Sequence, residues 1–188
     1  MKRGYSIVLA VLALFAATAA IELWLGRLRL GPDGAFGWWE SNIWSSEQSQ
    51  RFADPYSFSH IVHGVLFYAG LWLVAPGSPM RYRFLAAVVL ECAWEVLENS
   101  PIIINRYRAV TISLGYVGDS VLNSISDILM MCLGFAAASL WRVWMSVVFV
   151  IGVEVAMALW VRDNLALNII MLVRPVDAIR AGQMGGQP

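Results

Sequence analysis

The sequence predicts an all-α integral membrane bundle, and three observations carry that prediction. Residues of the apolar set make up 59% of the 188-residue chain and charged residues only 14%, against roughly 25% charged in an average soluble protein. Thirteen Lys+Arg balance thirteen Asp+Glu, so no basic excess exists to neutralise phosphates and nucleic acid is excluded as a partner. A bilayer core of about 30 Å is crossed by about 20 apolar residues in helical form, and stretches near that length recur along the chain. A soluble domain with so little polar surface would not stay dispersed, and the same composition excludes disorder.

The first span runs over 5–25 and is interrupted only by Glu22 near its end. Lys2 and Arg3 ahead of it, with Ala17-Thr18-Ala19 behind, also fit a secretory signal peptide. The apolar run continues through Ile21 and Trp24, longer than a signal core, and favours a retained anchor. Further spans follow over 57–75, 82–99, 119–140 and 143–161. A shorter run, 165–173, is too brief to cross and reads as an interfacial helix stopped by Pro175. No repeat, linker or low-complexity tract separates these pieces, so residues 1–188 are expected to form a single membrane domain. Cys92 and Cys132 both sit within apolar runs and read as free, core-facing thiols.

Basic residues in short loops orient such a bundle. Lys2 and Arg3 precede the first span, Arg81 and Arg83 crowd the turn between the second and third, and Arg142 lies in the break before the fifth. All fall on one side if the N-terminus is cytoplasmic. The long segments 26–56 and 100–118 then face outward, and Trp38, Trp39 and Trp44 suit a headgroup belt. The expected location is the cell (inner) membrane, multi-pass, in contact with membrane lipid.

Intramembrane charge is concentrated on three consecutive helices. Glu91, Glu95 and Glu98 stand at i, i+4 and i+7 and share a narrow stripe of the third span. Asp119, Asn123 and Asp127 repeat every four residues on the fourth, beside Ser120, Ser124 and Ser126. His60 and His63 share a face of the second with Ser57, and they are the only 2 histidines. At about 1.5 Å per residue, His60, Glu98 and Asp119 should lie within the first turn from the outer surface. His63, Glu95 and Asn123 should lie a turn deeper, and Glu91 and Asp127 on the order of 12 Å in. The three stripes therefore predict a polar pocket that opens outward.

A charged side chain at mid-bilayer costs about 2.5 to 3.5 kcal/mol on insertion scales, so these groups must face one another, water or cations. Three roles are open. The groups can serve helix-to-helix hydrogen bonding. They can hold a divalent metal, zinc, iron or manganese, through His60, His63, Glu95 and Glu98. They can also perform acid–base or proton-relay chemistry, for which His63, Glu95, Glu98 and Asp127 are the candidates. Arg106 and Arg108, in an expected outer loop, are the natural counter-charges and anion contacts, and Asn123 a further ligand contact. Glu154 on the fifth span either joins the cluster or pairs with an arginine. Asp119 or Ser120 is placed to cap the fourth helix.

The strings FADPYSFSHIVHG (Phe52 to Gly64), ECAWEVLENSPIIINRYR (Glu91 to Arg108), GYVGDSVLNSISD (Gly115 to Asp127) and the C-terminal RDNLALNIIMLVRPVDAI resemble uncharacterised protein family 0314, small bacterial inner-membrane proteins. The resemblance covers most of the chain from Arg51 onward. It implies a multi-pass cell-membrane protein and supplies no activity and no catalytic residue. The acidic span followed by an Asp/Asn stripe, with Gly134 after Asp127, is also similar in pattern to VanZ-like membrane proteins, which would imply lipid-like or cell-envelope ligands. The pocket is accordingly expected to bind, or to process, an amphiphilic envelope ligand. The rival expectation is a non-catalytic assembly, binding or permeation component whose carboxylates serve packing or proton movement.

Overall fold

In a computed structural model the chain is all-helical; residues 2–113 and 115–185 are described, with side chains from Tyr5 onward. The side chains of Lys2 and Arg3 and the chain's last three residues lie outside that description. Among the described residues the helices are α1 (Lys2–Trp24), α2 (Ser57–Val74), α3 (Met80–Glu98), α4 (Pro101–Val110), α5 (Val121–Leu140), α6 (Val143–Trp160), α7 (Leu165–Val173) and α8 (Asp177–Met184).

Four of them, α1, α2, α5 and α6, are long and apolar enough to cross a membrane, where the sequence predicted about five spans. The exception is α3. It forms over the expected residues but carries Arg81, Arg83, Glu91, Glu95 and Glu98, so its own composition does not make it a span. It is accommodated among α1, α2 and α5, and its acidic face is turned away from the surface: Glu91 and Glu95 are fully buried. The outward faces of α1 and α6 are apolar, with Leu9 and Leu12 on one and Val148, Ile151, Val155 and Leu159 on the other all exposed. An apolar surface of that extent suits lipid.

Segment 101–110, expected as part of an outer loop, is a helix. Pro101 occupies its first turn, where the missing N–H costs nothing, after an extended Ser100. A further amphipathic helix, α8, lies beyond Pro175. Both thiols are free; Cys92 is buried and Cys132 half-buried.

The tightest helix pair is α2 against α5. Gly64 and Gly134 make it possible: a Cβ on Gly64 would lie 2.0 Å from the Met131 carbonyl oxygen, and one on Gly134 2.0 Å from that of Ile61. Small residues that let helix backbones meet are the usual glue between helices in lipid. Beneath this contact Ala87, Val88, Cys92, Ile128, Met131 and Phe135 form a buried core shared by α3 and α5.

The long segment after α1 is also built in. Gly26, at φ 82°, ends α1 in the left-handed conformation that glycine adopts freely. The stretch around Gln48–Asp54 then supplies partners for the exposed backbone of α5. Ser120 and Val121 donate their N–H groups to the carbonyls of Ser49 and Leu28 at 2.9 and 2.8 Å. The Gln50 side chain donates to the Gly118 carbonyl at 2.8 Å. The Ser120 hydroxyl, as expected of a cap, accepts from the Asn123 N–H at 3.2 Å. Non-helical backbone is tolerated at membrane depth only when satisfied in this way.

Candidate functional site

Register decides which polar groups meet. The Ser57 hydroxyl, at the very start of α2, donates to Asp127 at 2.9 Å, six residues inside α5. The two helices run in the same direction, so α2 begins on the order of 9 Å deeper than α5. The cause is the re-entrant Gln48–Asp54 stretch, which carries the chain inward before α2 starts. Asp54 organises that start: it accepts from the Tyr56 N–H at 2.7 Å and the Ser49 N–H at 3.1 Å. His60 and His63 consequently both reach Glu91, which the equal-depth counting placed deeper than His60, level with Glu98 and Asp119, and deeper than His63, level with Glu95 and Asn123.

Glu91 is the centre of the cluster. His60 Nδ1 stands 2.6 Å from its Oε1, and His63 Nδ1 stands 3.1 Å from its Oε2. One fully buried carboxylate therefore orients both imidazoles. Each ring presents Nε2 on the side away from Glu91, and that of His60 comes within 3.7 Å of Asp127. Glu95 approaches His60 Nδ1 at 3.4 Å, beyond a good hydrogen bond to a nitrogen already engaged by Glu91. Both Glu95 oxygens lack a hydrogen-bond partner and are shielded from solvent. Glu98, half-buried, faces Tyr107 and Trp94.

A second polar knot lies nearer the start of α5. The Asn99 amide donates to Asp119 at 3.0 Å and to the Ser124 hydroxyl at 3.1 Å, and its carbonyl oxygen accepts from the Asp119 N–H at 2.6 Å. Tyr116 donates its hydroxyl to Asp119 at 2.9 Å. Between the two knots lies a cavity of about 430 Å³. Asp54, His60, His63, Glu98, Asp119 and Asp127 line it, with Asn123 beside them. Leu66, Phe67, Leu90 and Trp94 supply apolar lining, and Asn164, which caps α7, adds to it with Ile169 and Leu172 of α7. No Lys or Arg lines this cavity among the described residues.

The structure therefore gathers His60, His63, Glu98, Asn123 and Asp127 on one wall, with Glu91 and Glu95 directly behind. It does not bring Arg106 or Arg108 there. Arg106 donates to the Leu172 carbonyl at 2.9 Å and so fastens α4 to α7, while exposed Arg108 donates to the Tyr116 carbonyl. With residues 101–110 coiled into a helix, both guanidiniums point to neighbouring backbone and neither is a counter-charge to the acidic cluster. Among the described residues Glu154 neither joins the cluster nor meets an arginine: its carboxylate accepts the Leu165 and Ala166 N–H groups at 3.2 and 3.0 Å and caps α7. Sequence reasoning missed Asp54, Asn99 and Tyr116. The Asp54-Pro55 pair just before an apolar run was the available signal for the first; nothing local distinguishes Asn99 or Tyr116.

The roof of the cavity holds a buried acid outside the spans. Asp163 accepts from Tyr56 at 3.1 Å and from Gln183 at 2.9 Å, joining the start of α2 to α8. Burial pushes its carboxyl up to about 6, against hydrogen bonds from Asn164 and Tyr56. Burial likewise raises Asp54 to about 7, aided by the nearby Asp119. A carboxyl whose folded-state value is raised stabilises the fold in its protonated form, and that contribution fades as pH rises through the raised value. For Asp163 the shift corresponds to on the order of 3 kcal/mol. Thermal stability in detergent should accordingly fall between pH 4 and about 6 through this group, and Asp163→Asn should flatten the fall; an unchanged pH profile in the variant would show that Asp163 does not titrate with folding.

The relatives named below carry names without activities. The family model described as "Protein of unknown function (DUF2585)" matches residues 22–185. A UPF0314 protein of Paracoccus denitrificans is 52% identical over 161 residues, 86% of this chain and 83% of its own. One from Sphingopyxis alaskensis is 46% identical, covering 95% of both chains, and one from Rhizobium meliloti is 46% identical over 98% of this chain and 93% of its own. No solved structure matches. On this coverage and identity, the chain belongs to the UPF0314 family, whose family model is that of a protein of unknown function.

Proposed function

We propose that this protein is a multi-pass component of the bacterial cell (inner) membrane, N-terminus cytoplasmic, whose outward-facing cavity binds the polar head of an amphiphilic molecule. The observation that carries the proposal is the cavity's mixed lining. Acids and imidazoles share it with Leu66, Phe67, Leu90 and Trp94, and His63 packs against both Phe67 and Trp94. Leu66 and Leu90 are also half-exposed on the outer surface of the bundle, which gives an acyl or prenyl chain a side exit into lipid between α2 and α3. Pockets that hold a ligand by apolar walls and orient it with a few convergent polar groups are the common design for small-molecule sites.

The orientation rests on the short turns at 75–79 and 141–142, which carry or adjoin Arg81, Arg83 and Arg142. Three arginines of the opposite end are held by neighbours: Arg27 donates to the Val117 carbonyl, Arg51 pairs with Asp33, and Arg106 is fastened to Leu172. His63, Glu98 and Asp127 are the acid–base groups that would touch the head, and Asn123 a neutral hydrogen-bonding contact. An anionic head meets four carboxylates on this wall, Asp54, Glu98, Asp119 and Asp127, and no Lys or Arg among the described residues.

Mass spectrometry of protein extracted in mild detergent tests the proposal. The wild type should retain a specific amphiphile, and a Leu66→Trp, Leu90→Trp variant, which enlarges two of the lining side chains, should lose it while remaining folded. A wild type carrying only the bulk lipid mixture, or a double variant with the same cargo, would favour the non-catalytic alternative in which the polar residues serve helix packing or proton movement.

A further inference from the structure

The cluster behind the cavity wall has a feature that helix packing does not account for. Glu95 is fully buried, yet neither of its carboxylate oxygens has a hydrogen-bond partner. A buried carboxyl left in that state costs on the order of 1–3 kcal/mol or more, and buried polar groups in native proteins are nearly always satisfied. Its neighbours are of one chemical kind. Ligand atoms from His60, Glu95 and Glu98 lie within 4.8 Å of one another. A second trio, His60, His63 and Glu91, meets the same limit and shares His60.

The two trios are not equivalent. In the second, Glu91 is already saturated by two imidazole nitrogens at 2.6 and 3.1 Å. That arrangement is the one by which proteins orient a metal-bound histidine: its other ring nitrogen rests on a carboxylate. In the first, Glu95 has both oxygens free and Glu98 reaches the cavity wall. An imidazole with two carboxylates suits zinc, iron(II) or manganese(II), and the spacing needs only a small inward closure to reach ligand distances of about 2.0–2.2 Å. Asp127, 3.7 Å from His60 Nε2, supplies a further carboxylate beside the site.

We propose that this protein binds one divalent transition-metal ion through His60, Glu95 and Glu98, with Glu91 and His63 holding the His60 ring in place. The ion satisfies Glu95 and leaves one side of its coordination sphere open to the cavity. It also supplies the positive charge that the wall lacks. This site stands whether or not an amphiphile binds, because every ligand comes from the chain.

Manganese(II) is the probe, because its six-line electron paramagnetic resonance spectrum is lost from the free-ion signal on binding. Chelator-treated full-length protein in detergent should bind manganese(II) saturably, one ion per chain, and zinc should displace it. Glu95→Gln and His60→Ala should each weaken binding by at least about tenfold, since even the loss of an outer partner costs that much. Glu91→Gln should weaken it less, through His60. Should Glu95→Gln fail to fold, Glu98→Gln, at a half-exposed position, carries the test. Absence of saturable binding by the wild type, or undiminished binding in folded Glu95→Gln or Glu98→Gln, overturns the proposal. Amphiphile retention measured in parallel on metal-free protein keeps the two outcomes separate.

Discussion

Gly64→Ala and Gly134→Ala should each sharply lower stability in mild detergent, whereas Gly70→Ala and Gly152→Ala should not. The added carbon at either of the first two positions would sit 2.0 Å from a backbone carbonyl oxygen of the facing helix. A backbone cannot rotate aside as a side chain can, so α2 and α5 must separate. Overpacking a dense core costs typically 1–3 kcal/mol, and a rigid backbone contact lies at the upper end, about 3 kcal/mol. Separation also pulls Ser57 from Asp127 and His60 from the cavity wall, so the damage extends to the site. At Gly70 and Gly152 an added carbon meets nothing within 4 Å, and the change removes glycine's helix penalty of about 1 kcal/mol. Thermal midpoints of the four variants decide the matter. Comparable losses at all four would mean that helix flexibility, not the α2–α5 contact, is what the glycines supply.

Glu91→Leu should be the most damaging single change in the cluster. It leaves His60 and His63 without their shared acceptor in a buried cluster, and breaking a buried polar pair by removing one partner costs about 3–5 kcal/mol. The informative comparison is the triple variant His60→Leu, His63→Leu, Glu91→Leu. Replacing a whole buried polar group with apolar residues of similar volume is often neutral or stabilising. The triple variant should therefore regain much of the stability that Glu91→Leu loses, while losing metal and ligand. If the triple variant is as unstable as the single, the cluster is needed to hold the helices together, and its function is packing.

Much of this architecture was legible in the sequence because lipid imposes harsh rules. Apolar runs of near-spanning length located α1, α2, α5 and α6 to within a few residues, and the i, i+4 spacing placed Glu91 and Glu95 on one buried face. The convergence of α2, α3 and α5 followed from the energy of leaving carboxylates in hydrocarbon. Register did not follow. Counting turns from a common surface assumes that every helix begins at the same depth, and the re-entrant stretch ending at Asp54 breaks that assumption for α2. Nothing in the periodicity of residues 48–54 announces that their carbonyls will be taken up by Ser120 and Asn123. The same blindness to non-local hydrogen bonds made Arg106 look like a counter-charge when its partner is the Leu172 carbonyl, and hid the capping role of Glu154. Residues 101–110 have a helix start signal in Ser100-Pro101, but their polar Asn105-Arg106-Tyr107 centre obscured it.

Cysteine cross-linking in native membranes tests the meeting of the three polar faces most directly. Two pairs serve: His60→Cys with Glu91→Cys, spanning α2 and α3, and Ser57→Cys with Asp127→Cys, spanning α2 and α5, each in a background with Cys92 and Cys132 replaced by alanine. Side-chain separations of 2.6 and 2.9 Å at these positions predict rapid bridging of both pairs by a short bifunctional thiol reagent. Failure of either pair to bridge would contradict the deep start of α2 and with it the cavity between α2, α3 and α5.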